Sequence, residues 1–214
     1  MTSVDAGAGR RPRARKGEGR QLRDEIVAAT ERLLLATGSS EAVSIRAVAN
    51  AVGVTPPSIY RHFPDKTALI FEVVDRHFAE LEARLDAAIA GLDDPVAALA
   101  AAGRTYIEFG IENPEPYRVM FLTRSDETPD EYKYERLAEL TCFGTVLGIV
   151  QDCIDAGRVR PDAGDAVTVT IGVWARVHGL TSLLVTKPDF PWPGERDQFI
   201  AHYMDSCLRG LLVD

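Results

Sequence analysis

The stretch Ser44 to Phe63, SIRAVANAVGVTPPSIYRHF, leaves the chain few choices of local structure. Ser44 is a natural helix cap, and Ile45, Val48, Ala49 and Val52 recur on one face of the short helix that follows. Gly53 stops that helix where the chain must turn sharply. Thr55 is expected to cap a second helix at once, with Pro56 at the first position, where no amide donor is needed, and Ile59 and Phe63 facing inward. Two short helices joined by three residues that include a Gly form a helix-turn-helix. Ala49 is small enough for the second helix to cross close by, and β-branched Ile59 fills the angle between them.

With the inner face taken by Ile59 and Phe63, the second helix presents Pro57, Ser58, Tyr60, Arg61 and His62 to solvent. Placed in a major groove, it reads base edges with Ser58 and Arg61, while Thr55, Tyr60 and Lys66 hold phosphates. The alternative is an ordinary helix pair within an all-helical core.

The run from Val52 to Lys66, VGVTPPSIYRHFPDK, resembles the recognition segment of TetR-type transcriptional repressors, in which the helix-turn-helix ends in Tyr-x-His-Phe followed by a Lys. The preceding segment Leu22 to Thr37 and the SIRAVA run also fit, so the resemblance covers roughly residues 20–75. It implies DNA contacts at Arg46, Thr55, Pro57, Ser58, Tyr60, His62 and Lys66. One departure stands out: Pro57 occupies a position where that family often has a small residue, so any backbone amide contact there is missing. Farther on, WARVHGL, Trp174 to Leu180, is similar to the Trp/His/Gly-containing ligand and dimer domain of a subset of these repressors.

A net charge of -8 is unexpected for a chain that meets phosphates, until it is divided. Residues 1–62 carry 10 Lys and Arg against 6 Asp and Glu, and the remainder carries 14 against 26. A basic head on an acidic body lets the head approach DNA while the body is repelled. The apolar share of 46 % is ample for a core. No secretory signal and no run of the length needed to cross a bilayer are read, so a cytoplasmic location is expected. Cys142, Cys153 and Cys207 form no C-x-x-C pair and are expected to be buried packing residues, with a redox thiol as the alternative.

Taken in order, residues 1–20 alternate Arg and Lys with Gly, Pro and Ala and read as a disordered basic arm, either a DNA contact or a solubilising tail. Residues 21–66 form the helix-turn-helix domain, braced from behind by the helix Leu22 to Thr37. Residues 67–214 form the body. A long helix runs from Asp65, its cap, to about Ala90, with Leu69, Val73, Phe78, Leu81 and Leu85 on its apolar face. Asp94 caps a helix from Val96 to Glu112, and Tyr117 to Leu122 is a short one. Ser125 to Asp130 reads as a loop, followed by a helix from Glu131 to Ala156. The segment Asp165 to Lys187 alternates like a strand at Val167, Val169, Ile171 and Val173 and recurs like a helix at Trp174, Val177, Leu180 and Leu184. Its length without a breaker decides for a helix. The last helix spans Asp197 to Leu212. The expected fold is all-α, with about nine helices, an N-terminal three-helix head and a C-terminal ligand and dimerisation body.

No phosphate loop, H-E-x-x-H, G-x-S-x-G or cluster of metal ligands is found, so neither catalytic nor metal-binding residues nor a cofactor are expected. His77 and His202 are expected at the surface. From the resemblance, a small-molecule effector site is implied in the body, with Tyr106, Phe109, Tyr117, Met120, Phe121, Phe143, Trp174 and His178 as its candidates, although ordinary core packing is the commoner role for each. A single short recognition helix reads only a few base pairs, so a homodimer is expected, through the helices Asp165 to Lys187 and Asp197 to Leu212. The reading is a repressor released from operator DNA by a small-molecule effector. Two alternatives remain: a DNA-binding regulator without such a ligand, and a helical enzyme or binding protein whose helix-turn-helix is structural.

Overall fold

A computed structural model of the chain describes residues 18–121 and 141–213. The expected basic arm up to residue 17, the loop Ser125 to Asp130 and residues 131–140 of the expected helix lie outside the described residues. Among those described, the chain forms nine helices and no strands: α1 Glu18–Thr37, α2 Ile45–Val52, α3 Pro56–Tyr60, α4 Lys66–Ile89, α5 Pro95–Glu112, α6 Pro114–Phe121, α7 Thr141–Asp155, α8 Ala166–Thr186 and α9 Arg196–Arg209. Of these residues, 18–77 and 118–121 form one compact unit, and 78–117 and 141–213 form a second.

In the first unit the expected caps do their work. The Ser44 side chain accepts a hydrogen bond from the Ala47 amide at 3.1 Å. Gly53 ends α2 at φ 75°, a left-handed conformation that a side chain strains, and this lets the Val54 amide reach back to the Ala49 carbonyl at 2.9 Å. Asp65 accepts from the Ala68 amide at 2.7 Å ahead of α4. Around this turn Ile26, Val27, Ala29 and Leu34 of α1 close a core with Val48, Ala49, Ile59, Phe63, Leu69 and Val73, joined by Val119 of α6. The one buried hydroxyl of α1, that of Thr30, donates to the Ile26 carbonyl at 2.9 Å and so enters this core at little cost.

Thr55 differs from expectation. It stands at the N-cap of α3, yet its side chain makes no capping bond. The reason lies in the two residues that follow: Pro56 and Pro57 have no amide to offer, and the next amide, of Ser58, already donates to the Thr55 carbonyl at 2.8 Å. The Thr55 hydroxyl turns instead to that of Ser58, at 3.2 Å.

The second unit is built on α5, which packs against α7, α8 and α9. Asp94 caps it through the Val96 amide. Its buried face includes Leu99, Gly103, Tyr106, Ile107, Phe109 and Gly110. The α5/α8 crossing is close because Gly110 lacks a side chain: a Cβ there would overlap the Thr181 methyl, with the Tyr117 ring at 3.1 Å behind it. The segment after α7 pairs with the end of the chain in an isolated antiparallel bridge between Val159 and Leu212, fixing α9 at its exit.

The ambiguous apolar segment is helical, capped by Asp165 on the Thr168 amide at 2.8 Å. Contrary to the expectation of no such run, α8 is long and apolar enough, by length and composition, to cross a bilayer. Its buried face includes Val169, Val177, Leu180, Thr181 and Leu184 and packs against α5 and α7, and the exposed Arg176 stands at its middle. Two further expectations are corrected. His77 is not a surface residue: its side chain is 13 % exposed and lies 2.9 Å from the Glu31 carboxylate. Of the cysteines only Cys153 is fully buried, whereas Cys142 and Cys207 are half-buried.

Gly110→Ala is expected to destabilise the second unit by about 1–3 kcal/mol, because the Thr181 methyl and the helix axes must move apart to admit the added atom. A denaturant titration reads this directly; an unchanged midpoint would show that the crossing is not close-packed.

Candidate functional site

The residues expected to meet DNA all fall in the first unit. Arg46, Thr55, Pro57, Tyr60 and Arg61 are exposed, Tyr60 at 54 %, and Ser58, His62 and Lys66 are half-buried. On α3 and its exit they share one outward face, opposite fully buried Ile59. An ordered chain of side chains runs across that face: Arg61 Nη2 donates to Ser58 Oγ at 3.2 Å, and Ser58 Oγ lies 3.2 Å from Thr55 Oγ1. Lys66 behaves differently, donating from Nζ to the Ser40 carbonyl at 3.1 Å and tying the start of α4 to the turn after α1.

Behind this face, charge holds α1 to α4. Arg23 makes a two-pronged pair with Glu72, at 2.6 and 2.7 Å, while its guanidinium lies 4.9 Å from the Phe63 ring centre. Arg76 bridges Glu72, at 3.2 Å, and Asp24, at 2.7 Å. The hydrogen bond from Arg23 holds the Glu72 carboxyl below its usual range. None of these cross-helix pairs was identified from sequence. The i,i+4 spacing of Glu72 and Arg76 was visible, but partners some 49 positions apart carry no local signal.

His62 is held below its usual pKa of 6.5, first by burial and then by the positive charge of Arg61 and Arg23. Both causes favour the neutral imidazole.

In the second unit, four of the eight candidate effector contacts come together. The hydroxyls of Tyr106 and Tyr117 lie 2.8 and 2.9 Å from Nδ1 of His178. Trp174 Nε1 donates to the Tyr106 hydroxyl at 3.4 Å, and the Tyr117 hydroxyl also reaches the His178 carbonyl at 3.3 Å. A neutral imidazole nitrogen has one lone pair, so with Tyr106 donating to Nδ1 the carbonyl serves as the acceptor for Tyr117. The Tyr117 and His178 rings stack, with centroids 5.7 Å apart. Burial pushes the Tyr117 hydroxyl up to about 12 and the Tyr106 hydroxyl higher still, and it lowers His178, so the cluster is uncharged at neutral pH. It runs from fully buried Tyr117 to Trp174, 41 % of which is exposed. Phe109 is buried in the same unit with the Arg84 guanidinium over its ring, and Phe143 is half-buried on α7. Met120 and Phe121 belong to the first unit. Among the described residues no group of three or more His, Cys, Asp or Glu is placed to hold a metal ion.

An all-helical chain carrying a helix-turn-helix with a polar, exposed second helix is of the class of DNA-binding regulators. The model of bacterial regulatory proteins of the tetR family matches residues 26–73, and that of the tetracyclin repressor-like C-terminal domain matches residues 99–207. The chain belongs to the TetR family of DNA-binding transcriptional regulators. Among its relatives, the transcriptional repressor KstR of Mycolicibacterium smegmatis is 40 % identical over 74 residues, 34 % of this chain and 35 % of KstR. The transcriptional activator FasR of the same species is 25 % identical over 170 residues, 76 % of this chain and 77 % of FasR. In fold, a putative tetR family regulator from Shewanella sp. PV-4 superposes with a TM-score of 0.75 at 12 % identity, covering 90 % of this chain and 99 % of that one. The family consists of regulators of transcription rather than enzymes.

The two depressed histidines set a pH dependence. The unfolded chain binds a proton more readily than the folded one, so their stabilising contribution is complete above pH 6.5 and is lost as pH falls below it toward the lowered folded values. Denaturant midpoints should therefore decline between neutral pH and about pH 5. His62→Gln and His178→Gln should each flatten the decline; a slope identical in wild type and both variants would refute the assignment.

Proposed function

We propose that this regulator is a homodimeric repressor that leaves a near-palindromic operator when a small molecule engages its second unit. Residues 21–66 carry the DNA contacts, through Arg46, Thr55, Pro57, Ser58, Tyr60, Arg61, His62 and Lys66, and residues 67–214 carry the effector and dimer contacts. The cytoplasm is the compartment in which such a protein meets its DNA.

The observation that carries the dimer is a face of α8 that is exposed among the described residues. Ile171, Ala175, Gly179 and Leu183 recur every fourth residue and are all exposed, Leu183 at 52 %. A glycine inside a helix costs about 1 kcal/mol relative to alanine. Gly179 is not required by its own fold, since a Cβ there meets nothing within 4 Å among the described residues. Large apolar residues flanking small ones suit the close crossing of a second copy of the same helix, with α9 alongside to complete a four-helix bundle.

For the effector, Tyr106, Tyr117, Trp174 and His178 are the proposed polar anchors, and Phe109 and Phe143 the apolar lining. Helix α4 has residues in both units, so a change in effector occupancy reaches the operator-binding unit along a single continuous helix. The effector shifts the equilibrium only by its differential affinity for the released conformation.

Two outcomes test this reading. Wild type titrated against the DNA upstream of its own gene should bind selectively, with affinity falling steeply as salt rises; binding no tighter than to random DNA would oppose it. Gly179→Leu, which fills space open among the described residues, should leave the helical content by circular dichroism unchanged while shifting the mass measured by light scattering to that of a monomer and weakening operator binding. A Gly179→Leu protein that remains a full dimer would exclude this face.

A further inference from the structure

The outer face of α3 is short of groups that read DNA. Pro56 and Pro57 have no amide, and the Ser58 amide is used on the Thr55 carbonyl at 2.8 Å, so the first turn offers no backbone donor to a base. Reading falls to the side chains Pro57, Ser58, Tyr60, Arg61 and His62. None is Asn or Gln, the residues that match the donor and acceptor pair of adenine, and none is Asp or Glu, which accept from cytosine. Arg61 alone carries the paired N–H groups that match the two adjacent acceptors of guanine, N7 and O6.

An exposed arginine is ordinarily spread over many rotamers, and fixing one opposes binding. Here that freedom is already reduced. Arg61 Nη2 donates to Ser58 Oγ at 3.2 Å, and the Ser58 hydroxyl in turn lies 3.2 Å from that of Thr55, whose position follows from its lost capping role. One of the five guanidinium N–H groups is spent on this bond, and the remaining four leave a fork for a base. Several other described cations of the same unit are placed differently: Lys66 is bonded to the Ser40 carbonyl, Arg23 and Arg76 are paired with carboxylates, and Arg46 belongs to α2 rather than to α3.

We infer that Arg61, positioned by Ser58, is the residue that specifies a guanine in each half of the operator. The inference rests on the placement of α3 against DNA proposed above. Thr55 and Ser58 are positioning residues for that guanidinium, and the remaining contacts fix register on the phosphates.

The test begins with sites selected by the wild-type protein from random duplex DNA. A guanine should recur at one position of each half-site. Replacing it with another base, or with 7-deazaguanine, which lacks the N7 acceptor, should weaken wild-type binding in fluorescence anisotropy by about 5- to 150-fold. Arg61→Ala should lose a similar factor on the selected site and then bind the guanine and 7-deazaguanine sites equally. Ser58→Ala should lose part of the discrimination while keeping affinity for random DNA, and Ser58→Thr, which retains the hydroxyl, should restore it. Both side chains lie outside the core, so unchanged unfolding midpoints will confirm that the variants fold.

The inference is overturned if Arg61→Ala weakens every site by the same factor and lowers the salt slope by about one, the signature of a phosphate contact. It is likewise overturned in its positioning part if Ser58→Ala discriminates as wild type does. Should wild type select no sequence at all, the placement of α3 on DNA fails instead, an outcome distinct from selective binding that ignores guanine.

Discussion

The head depends on one backbone conformation, the left-handed turn at Gly53. With φ at 75° the chain reverses in the space between Val52 and Thr55, and α3 crosses α2 where Ala49 and Ile59 are both fully buried. A side chain at that glycine would meet strain rather than collision, since the space around it is open within the described residues. The strain would be relieved by opening the turn, and opening it would separate Ile59 from Ala49 and swing the outward residues of α3 to new directions. The exposed face therefore inherits its geometry from a residue with no side chain to hold it in place.

The two units handle polar groups in different ways. In the first, charges stay at the half-exposed rim and satisfy one another: Arg23, Glu72, Arg76 and Asp24 alternate in sign across α1 and α4, and the Glu72 carboxyl remains ionised between its two guanidinium partners. In the second, the polar groups are drawn inward but kept neutral. Tyr106, Tyr117 and His178 share a few hydrogen bonds among three helices, and burial favours the uncharged form of each.

Much of the fold was legible because it rests on local rules. Ser44, Asp65 and Asp94 all accept the amides that their positions predict, and the absence of a breaker in the alternating segment before Pro188 correctly decided for the helix α8. The rule failed at Thr55 because the residues after it removed the donors a cap requires. Contacts between distant residues were not legible. Nothing in the spacing of Tyr106, Tyr117 and His178 announces a shared nitrogen, and nothing around His77 announces Glu31. Burial patterns are periodic and can be read along a chain; side-chain partnerships across helices cannot.

The pair Pro56–Pro57 has a further consequence, in entropy. A helix of five residues cannot hold itself together in water, because the nucleus of a helix fixes several dihedrals for a single hydrogen bond. Two prolines at its start fix φ near the helical value before any hydrogen bond forms, and they remove conformations from the unfolded chain that would otherwise compete. The segment proposed to meet DNA thus begins with part of its ordering complete, and less of the binding free energy would be consumed in shaping it at the moment of contact.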